Sequence, residues 1–201
     1  MGEPEQVSEQ VSKQMSLFAA AEVPGSYVVK QPQPLKMGTI VLQEWKQRIY
    51  EYQTQIRANP AQPATDLFGQ PVELSIADRL DPFTMRQQNI EFWRWKNGDQ
   101  GTAALYFVID YEIPILLYVG ETIKSGQRWK GEHGCKWYLD HYCSANSSHR
   151  IKTAIGIAFW SQAPTATRPR QQIESDLIYK WRSPFNKENW TFWGTPFVPP
   201  K

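Results

Sequence analysis

Apolar residues in the second half of the chain form two short, nearly continuous runs, over residues 105–109 and 115–119. Runs of this length that are rich in Ile, Leu, Val and Tyr are typical of buried strands. The five residues between them include Pro114 and predict a short hairpin. A further apolar run over 153–160 predicts a third strand.

Apolar residues at steps of three and four predict the helices. The longest such helix covers 35–57 and ends before Asn59-Pro60; its apolar positions are Ile40, Val41, Trp45, Ile49, Tyr52 and Ile56. Asp81 and Pro82 are start signals for a helix over 82–96. Three more helices are predicted over 124–133, 135–145 and 170–182, the last with Ile173, Leu177, Ile178 and Trp181 on one face. Alternation at Val72, Leu74 and Ile76 favours one short strand.

These elements predict an α/β fold in which a small, mainly antiparallel, three-stranded sheet is flanked by helices. Residues 1–35 are rich in Glu, Gln, Ser and Pro, so we expect a mobile arm. A mostly helical extension over 36–100 follows, then the α/β domain over 101–190. An irregular aromatic tail over 191–201 ends the chain.

Composition limits the class of protein. A chain of 201 residues with 41% hydrophobic content can bury one sizeable core. No segment approaches the ~20 consecutive apolar residues of a membrane span. The amino terminus lacks the features of a secretory signal and there are two cysteines, so we expect a reducing, cytoplasmic environment.

The net charge of +2 is an average over unlike segments. Residues 1–35 carry 2 basic and 4 acidic side chains, residues 36–100 carry 8 of each, and residues 101–201 carry 12 and 8. The predicted α/β domain is therefore the basic part of the chain. This favours a polyanionic substrate there and a protein partner for the acidic arm.

Polar residues in the basic half occur in a distinctive order. Two triplets, Ala104-Leu105-Tyr106 and Tyr118-Val119-Gly120, lie on the paired strands, and an arginine follows Tyr118 by ten residues. A helical glutamate is followed twelve residues later by the asparagine of a Pro-Phe-Asn sequence. Over residues 102–190 this order resembles the GIY-YIG nuclease domain. The positions that match the family's site are Tyr106, Tyr118, Arg128, His133, Glu174 and Asn186.

The resemblance implies a metal-dependent DNA endonuclease that hydrolyses phosphodiester bonds with Mg²⁺ or Mn²⁺ held by Glu174. It implies that Tyr106 or Tyr118 orients or activates water and that Asn186 orders the site. Two positions depart from the family pattern. Ala104 replaces the first glycine, and Glu121 stands where some repair members carry a lysine.

The chemistry suits these residue types. Mg²⁺ is bound by one or two carboxylates and several waters, which Glu174 can support. Arg128 presents a planar fork of donors for a phosphate. A tyrosine hydroxyl accepts a proton from water only if nearby cations lower its pKa. His133 is of the side-chain type that titrates near neutrality and can relay that proton.

Basic side chains near these positions are candidate DNA contacts. They are Lys124, Lys130, Lys136, Arg150, Lys152, Arg168 and Arg170.

The arm contains a second motif. The segment Gln14-Met15-Ser16-Leu17-Phe18 resembles the bacterial sliding-clamp-binding pentapeptide, which implies that Gln14, Met15, Leu17 and Phe18 dock into a pocket of the clamp. Thr65-Asp66-Leu67-Phe68-Gly69 repeats the Leu-Phe pair without a well-placed glutamine, and we expect it in a loop or the core.

Alternatives remain at this point. Three histidines and two cysteines lie within 133–149, but no Cys-x-x-Cys pair accompanies them, which makes zinc the less favoured metal. The preferred function is a structure-selective endonuclease in repair, recombination or replication-linked processing, tethered to the clamp. The alternatives are a non-catalytic, clamp-associated DNA-binding module and a restriction-type endonuclease.

Overall fold

The computed structural model describes residues 38–89, 102–123 and 134–197. The first range holds α1 (Thr39–Ala58), the strands β1 (Ala64–Thr65) and β2 (Pro71–Val72), α2 (Ile76–Arg79), a 3-10 helix over Pro82–Thr84, and β3 (Gln88–Asn89). The other two ranges hold β4 (Ala104–Asp110), β5 (Ile115–Thr122), α3 (Gly134–Ser148), β6 (Ile155–Trp160), α4 (Thr167–Trp181), a 3-10 helix over Lys187–Asn189, and α5 (Trp190–Trp193).

The main sheet is antiparallel, with strand order β3-β6-β4-β5. The mixed α/β class and the antiparallel pairing predicted from the sequence are confirmed. The number of strands is not, because β3 adds a fourth strand by pairing Gln88 with Ile157 and Asn89 with Gly156. These two exposed polar residues have no apolar alternation, so the sequence pattern does not reveal the strand.

Helices and loops cover both faces of the sheet. One face packs against α1, α3 and the chain after α4, through a core that includes Leu42, Tyr142 and Phe185. The other face packs against α2 and α4, through a core that includes Phe107 and Leu177. Successive β4 residues alternate between the two cores, as the period of two in a strand requires. The sheet is therefore the middle layer of three.

The free edge of β5 is closed by side chains rather than by another strand. The Gln53 amide donates to the carbonyl of Leu116 (3.0 Å) and accepts from its N–H (2.7 Å). Leu117 is the extra residue where the pairing of β4 with β5 shifts, and its carbonyl accepts from the N–H of Phe185 (2.9 Å). The Asn186 side chain pairs with the backbone of Val119 on the next part of the edge. An edge satisfied in this way does not recruit foreign strands.

The buried face of α1 differs from the predicted one. Its buried residues are Leu42, Trp45, Lys46, Ile49 and Gln53, whereas Ile40 and Val41 are exposed. Lys46 Nζ donates to Asp110 Oδ2 (3.2 Å) and to Asn146 Oδ1 (3.0 Å) within this interface. A pattern based on apolar residues alone does not predict the buried face of α1, because two residues of that face, Lys46 and Gln53, are polar. Both are buried with hydrogen-bond partners that are distant in sequence.

Six predicted elements agree closely with the structure: α1, β4, β5, β6, α3 and α4, the last two of the helices at 134–148 and 167–181. The helix predicted over 82–96 is wrong for the described residues 82–89. Pro82 does begin a helix, but it is a single 3-10 turn, and Asp81 caps it through its carboxylate to the N–H of Phe83 (2.9 Å). The strand predicted near Val72 is two residues long, and Ile76 instead begins α2.

All described residues belong to one compact unit, Pro34–Lys201. The predicted boundary at residue 100 does not divide two cores, because α1 contributes Leu42, Trp45 and Ile49 to the core beneath β4 and β5. The tail is more ordered than expected at Trp190–Trp193, which form α5. None of the described helices has the length and apolar character needed to cross a membrane.

Candidate functional site

The two tyrosine-bearing triplets meet across the β4–β5 ladder. Tyr106 lies directly opposite Gly120, and the buried Tyr106 ring extends over this glycine. A Cβ atom added to Gly120 would lie 2.3 Å from Tyr106 Cζ and 2.4 Å from its hydroxyl oxygen. A residue without a side chain is therefore required at 120 for the ring of Tyr106 to occupy its place.

Tyr118 lies beside this pair on the same face of the sheet. Its ring centroid is 5.9 Å from that of Tyr106, and the Phe159 ring is 6.2 Å from Tyr106 on the neighbouring strand β6. Tyr106 is fully buried, whereas Tyr118 is partly exposed. Of the two tyrosines, Tyr118 is the one that solvent can reach.

Asn186 holds β5 at the residue between Tyr118 and Gly120. Its side chain accepts from the N–H of Val119 (3.0 Å) and donates to the Val119 carbonyl (2.9 Å). The Ser183 hydroxyl donates to the same Asn186 oxygen (2.7 Å). Since an amide group offers both a donor and an acceptor, Asn186 acts in place of a neighbouring strand and fixes the backbone that carries Tyr118.

Glu121, directly after the second triplet, turns towards α4. Its Oε2 accepts from Arg170 Nε at 2.6 Å. Arg170 is 0% exposed, and its Nη1 also donates to the carbonyls of Pro164, Thr165 and Ala166. The guanidinium therefore ties the end of β5 to the loop that begins α4.

Glu174 lies one helical turn beyond Arg170 on α4, on the same side of the helix. Ile173 and Leu177 on either side of it pack into the core that includes Val119 of β5, and Glu174 itself is partly buried. Because α4 covers the opposite face from Tyr106 and Tyr118, the two tyrosines and Glu174 belong to different layers.

Among the described basic residues proposed as DNA contacts, four have side chains that solvent can reach and one is buried. Arg150, Lys152 and Arg168 are exposed, and Lys136 is partly buried on α3. Arg170 does not belong with them, because the structure places its side chain in the interior and engages it with Glu121.

Several predicted positions lie outside the described residues. They are Arg128 and His133 of the site, Lys124 and Lys130 of the DNA contacts, and Gln14, Met15, Leu17 and Phe18 of the arm.

The zinc alternative gains no support from the described part of the chain. Within it, no three His, Cys, Asp or Glu side chains converge on one point. Burial raises the pKa of both thiols, that of Cys135 well above its ordinary value and that of Cys143 less so.

The sequence pattern missed two contributors to this region. The pairing of Glu121 with Arg170 joins residues 49 positions apart, and no local signal marks it. Gln53 is one of four glutamines on α1, and no sequence signal distinguishes it from the others. Gln43, Gln47 and Gln55 are exposed, whereas Gln53 is buried. Both depend on contacts that form only when the elements pack.

Comparisons of the chain with protein-family models, with curated proteins and with solved structures find no match.

Proposed function

We propose that this protein is a metal-dependent DNA endonuclease of GIY-YIG type whose site lies at the end of β5. The observation that carries the proposal is the fit of Tyr106 over Gly120, with Tyr118 alongside. It gives a physical reason for both triplets at once, since the tyrosine of the first needs the glycine of the second. Tyr118 then orients or activates the attacking water, and Asn186 acts as a positioning residue through Val119.

The departure at Ala104 is compatible with this role. Ala104 lies in β4 opposite Thr122, and the described backbone shows no positive φ there. An alanine in a regular strand adopts its conformation without strain. The missing first glycine therefore leaves the position of Tyr106 unaffected.

The negative charge that Glu121 places next to the site is balanced by Arg170. A carboxylate next to a bound phosphate would repel it, but the Arg170 guanidinium at 2.6 Å offsets that charge. Arg170 also ties the loop before α4, the helix that carries Glu174, to Glu121 at the end of β5. Glu121 and Arg170 thus position the helix that carries the metal ligand.

Glu174 is the residue that would hold a hard divalent cation in this proposal. Glu174 supplies one partly buried carboxylate, and Mg²⁺ in phosphoryl chemistry is commonly held by one or two carboxylates, waters and the substrate. When bound, the ion would neutralise charge on the phosphate and on the leaving oxygen. Arg128 holds the phosphate and His133 relays the proton in this proposal. The exposed cations Arg150, Lys152 and Arg168 lie on the domain that would contact DNA.

A cleavage panel tests the proposal. Purified protein is mixed with branched, flapped and linear duplex DNA in Mg²⁺ or Mn²⁺. We expect cutting that prefers one DNA shape and that Glu174→Ala abolishes. Glu188→Ala is the matched control, because Glu188 is an exposed carboxylate outside the site. Absence of any cutting by the wild type, or cutting that Glu174→Ala leaves intact, contradicts the enzyme proposal.

The two departures at Ala104 and Glu121 are also compatible with a second function, in which the fold is kept without the activity. A non-catalytic, clamp-associated module would bind DNA in a salt-sensitive manner without cutting it, and Glu174→Ala would leave that binding unchanged. Cutting at fixed sequences only would instead select a restriction-type enzyme. The cleavage panel, together with a DNA-binding titration at several salt concentrations, therefore separates the three functions.

We also propose that the arm tethers the enzyme to the sliding clamp through Gln14, Met15, Leu17 and Phe18. A short segment with a few apolar anchors can dock into a preformed pocket and become ordered on binding.

A further inference from the structure

Two aromatic rings and an arginine form an exposed patch between the end of α4 and α5. Tyr179 and Phe192 have relative exposures of 70% and 49%. The Arg182 guanidinium lies over both rings, 4.3 Å from the centroid of Tyr179 and 5.1 Å from that of Phe192. These three residues are termed the ring platform. Exposed rings that lie together, unlike single scattered ones, mark an interaction surface.

The backbone of Arg182 adopts a conformation that favours glycine. Arg182 follows the last residue of α4 with a φ of +50°, in the left-handed region. Its N–H donates to the Ile178 carbonyl (3.0 Å), its carbonyl accepts from the indole N–H of Trp193, and its Nη1 donates to Asn189 Oδ1 (3.4 Å). Glycine is the usual residue at such a helix end, because it has no Cβ to conflict with the backbone. Helix termination alone therefore does not account for an arginine at this position.

The arginines of this surface carry charge that no carboxylate neutralises. Arg48 on α1 forms a second arginine–aromatic pair, with its guanidinium 5.9 Å from the centroid of the Trp193 ring. Within the described part of the chain, neither Arg48 nor Arg182 forms an ion pair, and the nearby carboxylates Glu51 and Glu188 are exposed to solvent. An apolar protein surface that covered the platform would remove this positive charge from water without a counter-charge, which is costly. A polyanion supplies that counter-charge.

Exposed rings beside a flat cation suit a single-stranded nucleic acid. Unpaired bases stack on aromatic rings and on guanidinium planes, and basic side chains bind the phosphates between the bases. The bases of a duplex have no free face for such stacking, because each base lies between its neighbours. The chemistry of the platform therefore selects an unpaired strand over a duplex.

The ring platform is attached to the segments that close the free edge of β5. Gln53 Nε2, which donates to β5, also donates to the carbonyl of Trp181, the residue before Arg182 (3.0 Å). Asn186, which pairs with the same edge, begins the segment that leads to Phe192. The platform is therefore anchored to the strand that carries the candidate site.

We infer that the ring platform binds the unpaired strand of a DNA substrate, with bases stacked on Tyr179 and Phe192 and phosphates at Arg182 and Arg48. The inference rests on the proposed nuclease function and deepens it by naming the substrate class, a DNA with a single-stranded flap or branch. Stacking of this kind recognises the absence of pairing and reads no sequence.

Fluorescence anisotropy of the full chain with three labelled DNAs tests this inference. They are a single strand of thymidines, a duplex, and the same duplex with a thymidine flap, all in EDTA so that no strand is cut. Tyr179→Ala combined with Phe192→Ala is expected to raise the Kd for the single strand and for the flapped duplex at least about tenfold. The Kd for the plain duplex should not change. Tyr179→Phe with Phe192→Tyr keeps both rings and should bind as the wild type does. The matched control is Leu67→Ala with Phe68→Ala, an exposed apolar pair in the loop between β1 and β2, which should leave every Kd unchanged.

Arg182→Gly separates binding from folding. Glycine adopts the left-handed conformation at this helix end, so thermal unfolding should occur at the same temperature as in the wild type. The guanidinium is lost, so the Kd for the single strand is expected to rise about tenfold. Tyr179→Ala alone is a second variant that should keep the fold, because its ring lies largely in solvent.

The outcomes separate this inference from the nuclease proposal. Failure of the wild type to bind the single strand, or equal single-strand Kd values for the wild type and the double alanine variant, overturns the inference, and the cleavage panel still decides the nuclease proposal. An equal loss of duplex binding, or an equal loss in the Leu67/Phe68 control, also overturns it, because the effect would not be specific to stacking of unpaired bases. Ring-dependent binding of the single strand without any cutting supports the platform as a binding surface and contradicts the nuclease proposal.

Discussion

Gly120→Ala is expected to destabilise the protein because of one steric conflict. The new Cβ would lie 2.3 Å from Cζ, 2.4 Å from the hydroxyl oxygen and 2.8 Å from Cε1 of Tyr106. Contacts this short require the ring to move, and the ring is fully buried between Tyr118 and Phe159. Overpacking of a filled core costs about 1–3 kcal/mol, and three short contacts with a rigid ring place this case at about 3 kcal/mol.

Urea unfolding measured by far-UV circular dichroism gives the free energy of unfolding for each variant. A loss of about 3 kcal/mol corresponds to a fall in Tm of roughly 6–12 °C for a chain of this size. Gly38→Ala is the control, because a Cβ there meets no atom within 4 Å, and we expect a change below about 1 kcal/mol.

A double-mutant cycle tests the cause rather than the size of the effect. Tyr106→Leu removes the three ring atoms that Gly120→Ala would meet. In that background the cost of Gly120→Ala should fall to within ~0.5 kcal/mol of zero. An equal cost in both backgrounds, or a single variant as stable as the wild type, would refute the steric reasoning.

Three further predictions concern the surroundings of the site and the core. Asn186→Ala leaves the N–H and the carbonyl of Val119 without their partner, so urea unfolding should show a free energy of unfolding lower by about 2–4 kcal/mol. An unchanged free energy of unfolding would contradict the role of Asn186 in closing the edge of β5. Glu121→Gln leaves the Arg170 guanidinium buried without its counter-charge, so we expect the free energy of unfolding to fall by about 2–3 kcal/mol. We also expect the folded variant to cleave DNA more slowly than the wild type. An unchanged cleavage rate would exclude a positioning role for Glu121. Burial raises the pKa of the Cys135 thiol, so the folded state keeps a proton that the unfolded chain releases above about pH 9. Above that pH the free energy of unfolding should fall by up to ~1.4 kcal/mol per pH unit. Cys135→Ala removes the thiol and should make the free energy of unfolding less dependent on pH in that range.

Local patterns were sufficient for the elements that bury an apolar face. The runs at 105–109 and 115–119 form β4 and β5, and the stripe of Ile173, Leu177, Ile178 and Trp181 is buried on α4 as predicted. These elements are recognisable because water exclusion acts on each apolar residue wherever its partners lie. Elements without that signature, such as β3, were missed.

The candidate site was only partly accessible from the sequence. The residues Tyr106, Tyr118 and Asn186 were selected by their order along the chain, and the structure gathers them around Val119 and Gly120. The sequence does not show why Gly120 must lack a side chain, because the steric constraint comes from the Tyr106 ring on the neighbouring strand β4. The structure also moves one predicted DNA contact, Arg170, from the surface to the interior.

What the sequence determined by itself is the identity of the helices and strands that bury an apolar face, and the separation of an acidic arm from a basic α/β half. Periodicity and charge are additive properties of neighbouring residues, so they can be read along the chain. What only the tertiary structure decided is which polar side chains became internal. Lys46, Gln53 and Arg170 are buried because packing brings each to a matching partner, Asp110, Leu116 and Glu121, and burying a polar group is favourable only when that partner is in place.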